Sequence, residues 1–113
     1  KDISMENIKS ANVQNVTTRD VIIYLDSCGF KHSQKGFDYI ISATQRGIKN
    51  KALITSGIIK NIYVPIAEEF NSSASKVERA MRHSIESCSD ETVQQLTISE
   101  FLAQTVDYFI YMK

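Results

Sequence analysis

At 113 residues, 42% of them hydrophobic and 23% charged, the chain has the length and composition of one folded domain, not of a disordered segment. No uninterrupted apolar run exceeds five residues, the length of 21–25, far too short to cross a membrane, and no signal-peptide pattern opens the chain. The only cysteines, Cys28 and Cys88, make no disulfide framework; they read as buried free thiols in a reducing, cytoplasmic compartment.

Formal net charge is zero, yet its distribution is uneven. Residues 31–60 carry six positive and one negative side chain, whereas residues 84–113 carry one positive and five negative. A basic middle and an acidic tail are thus hidden in a neutral total. Such asymmetry can set a basic surface against phosphates, and it is equally what an ordinary solvated surface shows.

Residues 1–16 have few large apolar side chains and no period, as expected of a linker or tail, and the chain opens on Lys1 as an excised piece of a longer protein would. Thr17 or Thr18 can cap a first helix running to about Cys28, with Val21, Leu25 and Cys28 on one face. Gly29 suits its end, and Phe30 follows where an apolar contact closes such a turn. A second helix is expected from about Ser33 to Arg46, ending at Gly47 or continuing toward Asn50, with Phe37, Ile40, Ile41 and Thr44 inward. The apolar spacing of Leu53, Ile54, Ile58, Ile59 and Ile62 predicts a third helix over 51–62, which Gly57 weakens by about 1 kcal/mol.

Pro65 belongs in the first turn of the next helix, 64–70, with Ile66, Ala67 and Phe70 inward. Asn71, Ser72 and Ser73 form a turn. Ser73, rather than Ser75, then caps a helix over about 74–87, because it places the cap before Ala74. Val77, Met81 and Ile85 form its buried stripe. Lys76, Arg79, Arg82, His83 and Glu86 occupy its other face. The polar stretch 89–96 is expected to be a loop. Thr97 to Glu100 spell a capping box opening the last helix, whose stripe is Phe101, Leu102, Val106, Phe109 and Ile110. The expectation is an all-α domain of five to six helices.

No catalytic constellation is present, and the domain is read as non-enzymatic. His32 and His83 are far apart in sequence and lie in no metal-ligand spacing, so neither metal nor cofactor is expected. Glu68 and Glu69 are adjacent on a helix and diverge, as a solvated surface does. The informative stretch is 64–87. A helix-turn-helix requires a small residue where its helices cross, a turn residue tolerant of a left-handed backbone, and an apolar residue inside the second helix. Ala67, Asn71 and Val77 meet those needs, followed by a helix with a basic outer face.

Residues 63–86, YVPIAEEFNSSASKVERAMRHSIE, closely resemble the helix-turn-helix of the C-terminal effector domain of the stage-zero sporulation response regulator, a family of master sporulation transcription factors. Its pattern is Tyr-Pro-x-Ile-Ala-x-x-Tyr/Phe-Asn, two small hydroxyl residues, Ala-Ser, a basic residue, then Val-Glu-Arg-x-Ile-Arg-His-x-Ile-Glu. The chain matches it nearly throughout, departing in the Tyr63-Val64-Pro65 stretch and with Met81 where the pattern has Ile. Lys35-Gly36-Phe37 and Ser99-Glu100-Phe101-Leu102-Ala103 extend the likeness to about residues 18–110.

The resemblance implies a six-helix, two-component effector domain that binds double-stranded DNA at short operator boxes, as a homodimer on tandem sites. It implies a receiver domain upstream, with residues 1–16 as the linker and 17–113 as the effector. The family carries a longer segment after the recognition helix, associated with RNA polymerase sigma factor; here only 87–96 stand in its place. A divergent paralogue, repressing or competing for the same boxes, fits that shortening.

On this reading Arg79 and Glu78 contact bases, Arg79 by two parallel donors to guanine and Glu78 by accepting from cytosine N4. Glu78 is free to do so if Ser73 is the cap. Ser73, Ser75, Lys76, Arg82 and His83 contact phosphates, the last three lying near one another on the exposed side. A helical protein-interaction or dimerisation module without productive DNA binding is the alternative the acidic tail supports.

Overall fold

A computed structural model describes residues 16–112, so most of the expected linker, residues 1–15, lies outside the described residues. The first helix, α1 (Thr18–Cys28), opens on a complete capping box. The Thr17 hydroxyl accepts from the Asp20 amide at 3.1 Å, and the Asp20 carboxylate takes the Thr17 amide at 2.9 Å. It closes on Gly29 in the left-handed region, the Phe30 amide reaching back to the Leu25 carbonyl at 3.1 Å. Val21 and Leu25 are buried and Cys28 half-buried.

Helix α2 (Lys35–Lys49) runs straight through Gly47 and buries Phe37, Ile40, Ile41 and Thr44 as expected. Gly47 is a packing residue, not a terminator. A Cβ there would run into Ile54 and Val106, so its absence lets the next helix and the last one close on α2.

The expected third helix over 51–62 does not exist as one piece. A one-turn helix, α3 (Ala52–Thr55), ends at Ser56, and Gly57 adopts φ 92°. The Asn61 side-chain amide donates to the Ser56 carbonyl at 2.7 Å, stabilising the break. The chain then re-enters helix as a wide π-type stretch, Ile59–Tyr63, continuous with α4 (Val64–Glu69). The apolar spacing was satisfied differently: Ile54 and Ile62 are buried on either side of the break, whereas Ile59 stays exposed.

Helix α5 (Ala74–Glu86) buries Val77, Met81 and Ile85. Residues 89–96 are not merely loop. Asp90 caps a one-turn helix, α6 (Glu91–Gln94), by accepting from the Thr92 amide at 2.9 Å, and Val93 is buried beneath it. The Thr92 hydroxyl, donating to the same carboxylate at 2.6 Å, and then the Thr92 amide hold the Asp90 carboxyl below its ordinary range. The last helix, α7 (Ile98–Asp107), opens on the Thr97–Glu100 box and continues as a π-type stretch, Tyr108–Met112. Phe101, Leu102, Val106 and Phe109 are core, and Ile110 is partly buried.

The described residues are therefore all-α, the two one-turn helices bringing the α-helices to seven. Helix α2 is the central element. It lies along α5 and also touches α1, α3, α4 and α7, so the position of α5 is set chiefly by α2. No helix of the described residues is long and apolar enough to cross a membrane.

Candidate nucleic-acid interface

Helices α4 and α5 form a tight pair joined by a four-residue connection. The end of α4 is a Schellman turn: the Ser72 amide bonds the Ala67 carbonyl at 2.7 Å, and the Asn71 amide bonds Glu68 at 3.4 Å. That geometry needs a left-handed residue, and Asn71 supplies it at φ 53°. Ala67 and Val77 are both buried, at the helix crossing and inside α5, as the motif requires. Phe70, expected inward, is 39% exposed; it stands at the mouth of the turn and meets the ring of Tyr39 edge-on at 5.2 Å.

Helix α4 is anchored by its last residue. The Glu69 carboxylate accepts from the Ser42 hydroxyl at 2.9 Å and from the Arg46 guanidinium at 3.0 Å, both on α2. Only Glu68 is the plain solvated side chain that adjacency on a helix suggests. Spacing could not reveal the partners of Glu69, Ser42 and Arg46, which lie 27 and 23 residues away in sequence.

Ser73 is the cap of α5, its hydroxyl accepting from the Lys76 amide at 3.3 Å. Ser73, Ser75, Lys76, Arg79, Arg82 and His83 are all exposed, whereas Glu78 is only partly so. With about 100° between successive residues, Arg79 lies at the centre of the exposed arc. Lys76 and His83 lie on one flank and Arg82 on the other. Lys76, Arg82 and His83, expected near one another, are thus not one cluster. Arg82 is ion-paired with Glu78, one turn earlier. Glu78 is therefore engaged even though Ser73 is the cap, contrary to the expectation that it would be free. Arg79 makes no ion pair among the described residues.

Beneath the Glu78 flank, Tyr63 is buried. Burial first, and the Glu78 carboxylate second, push its phenol up to about 12. Cys28 and Cys88 are free, and burial raises both thiols, which keeps them protonated and unreactive. The Cys88 thiol donates to the Cys28 carbonyl, so the pair acts as packing between α1 and the chain after α5.

An all-α domain whose second motif helix turns a basic face to solvent belongs, by fold and surface, to the helix-turn-helix regulators. Residues 21–109 match the family profile described as Sporulation initiation factor Spo0A C terminal, and the chain belongs to that family. It is a family of DNA-binding effector domains in sporulation regulation, not of catalytic domains.

Proposed function

We propose that this domain, residues 17–113 following a linker, binds DNA sequence-specifically by laying α5 in the major groove. The observation that carries the reading is Arg79: exposed, unpaired within the described residues, and central on the outward arc in the first two turns of α5. A guanidinium there can offer two parallel donors to guanine O6 and N7. Ser73, Lys76 and His83 approach one phosphate strand, and Ser75 and Arg82 the other. Glu78 reaches a cytosine only by exchanging its Arg82 partner, so its contribution is the smaller.

The domain pairs on tandem boxes and dimerises weakly or not at all without DNA, since no helix among the described residues presents a heptad seam. With the segment after α5 reduced to the one-turn α6, contact with a sigma factor is weak, and regulation runs through occupancy of the boxes.

The test is a duplex selected from a randomised library, titrated against a random duplex across salt concentrations. Arg79→Ala costs about 1–3 kcal/mol on the selected duplex and much less on the random one. Arg82→Ala weakens both equally and lowers the salt slope by about one unit. An unchanged ratio of selected to random affinity in Arg79→Ala would remove it as the base reader.

A second reading, a protein-interaction module, is favoured by a groove of about 210 Å³ lined by Ile23, Tyr24 and Tyr108, with Tyr111 exposed nearby. Failure of the wild-type chain to prefer any selected duplex over random DNA would favour it.

A further inference from the structure

We propose that the loop before α2 and the first turn of α2 form a second phosphate-binding shelf, carried by Lys31 and Lys35. It extends the flank of α5 that bears Lys76 and His83 along the DNA backbone. The proposal rests on α5 being the groove-reading helix and adds a strand-specific contact to it.

The juxtaposition is set by Gly36. A Cβ at that position would overlap the Ala80 carbonyl oxygen and the Ser84 hydroxyl, so the first turn of α2 lies directly against the middle of α5. Ala80 borders the Lys76 and His83 flank on the helical wheel of α5, on the side away from Arg82. Further along α2, Tyr39 meets Phe70 at the helix-turn-helix connection. Helix α2 therefore runs from the middle of α5 back toward that connection, beside the flank of α5 that faces a phosphate strand.

Lys35 precedes Tyr39 by one turn on the same face of α2, and both Lys31 and Lys35 are exposed. Neither makes an ion pair among the described residues. The acids nearby do not cancel them. Asp26 is engaged by His32, whose ring stacks on Phe37. Asp38, three residues after Lys35 and about 60° from it around α2, is exposed but makes no ion pair with it among the described residues.

Lys60, on the π-type stretch before α4, is also exposed and in no ion pair among the described residues, but Gly36 sets Lys35 and not Lys60 beside α5; the remaining cations of the basic middle segment differ. Arg46 is held by Glu69 and Lys51 by Asp107 at 2.7 Å. Lys49 is exposed but lies about 21 Å along α2 from Lys35. A helix in the major groove has a phosphate strand on each side. One strand meets Arg82, already shared with Glu78. The other meets Lys76 and His83, and beyond them Lys31 and Lys35. The two sides are therefore unequal in charge, which gives the complex a polarity that α5 alone does not have.

The experiment compares the wild-type chain, the Lys31→Ala/Lys35→Ala double variant and Lys49→Ala as a control of equal charge type. Each is titrated with salt on the library-selected duplex and on a random duplex, with circular dichroism as the folding check. The double variant is expected to lower the salt slope by about two units on both duplexes, with their affinity ratio unchanged. Phosphate-ethylation interference should disappear on one strand only, the strand opposite to that affected by Arg82→Ala. Lys49→Ala should leave slope and interference as in the wild type. An unchanged slope in the double variant, or an equal fall in Lys49→Ala, overturns the shelf while α5 stands as the reader. No preference of the wild-type chain for any selected duplex removes the underlying reading, and the shelf with it.

Discussion

Helices α5 and α7 are built alike and differ where they meet water. Each opens on a hydroxyl cap, Ser73 or Thr97, and each buries one apolar stripe. At the third helical position α7 has Glu100, whose carboxylate takes the Thr97 amide at 2.9 Å and completes the box. The same position in α5 is Lys76, and no acidic residue occupies that first turn. An anion there would satisfy a backbone donor and complement the helix dipole; a cation does neither. Helix α7 is finished for stability, with Glu100, Gln104 and Asp107 around its outer side. Helix α5 leaves its N-terminus electropositive, which suits the phosphate-facing role proposed for it.

The largest effect should come from the inward side of α7. Phe101→Ala removes a fully buried ring that packs on Phe30 at 5.1 Å and should cost about 3–5 kcal/mol in urea unfolding. Arg79→Ala, on the outward arc of α5, should leave unfolding within about 0.5 kcal/mol of wild type.

The alkaline edge of stability reports on the packing under α5. The neutral phenol of Tyr63 is favoured in the folded state, its pKa lying near 12 against an ordinary 10. Its contribution is complete below pH 10 and is lost as pH rises from 10 through 12. The loss should be about 2–3 kcal/mol. Tyr63→Phe should remove most of that dependence in unfolding curves taken across this range.

Lys76→Glu makes α5 resemble α7 and tests the comparison most directly. Completing the box should stabilise the fold by about 0.5–1 kcal/mol. Binding to the selected duplex should weaken by about 2 kcal/mol, because a phosphate ligand becomes a like charge. Losses in both assays would show that Lys76 is held by something other than its part in the phosphate-facing end.

The smallest change is Thr97→Ala. It removes the cap of α7 and should cost about 1 kcal/mol in thermal or urea unfolding, leaving DNA affinity of the folded domain unaltered.

Features that depend on neighbours within a few residues were legible in the sequence. A threonine cap opening α1 (Thr17 or Thr18), the Thr97 box, the end of α1 at Gly29 and the Ser73 cap are each satisfied by groups three or four positions away. The same holds for Ala67, Asn71 and Val77, whose spacing alone describes two helices crossing at a tight turn. Short-range hydrogen bonds and helical periodicity carry that information without reference to the rest of the chain.

Tertiary structure decided the rest. Gly57 could have been tolerated inside a helix, and residues 51–62 kept helical spacing; the break, with Ile54 and Ile62 buried on either side of it, came from packing. Gly47 had the identity of a terminator, yet the approach of Ile54 and Val106 made it a contact point inside α2. Charge followed the same rule. Sequence placed a basic segment at 31–60, but only folding paired Arg46 with Glu69 and Lys51 with Asp107, and left Lys35 beside α5. The partner of a charged side chain is chosen by which helices pack together, and that choice is made by apolar burial distant in sequence from the charges it arranges.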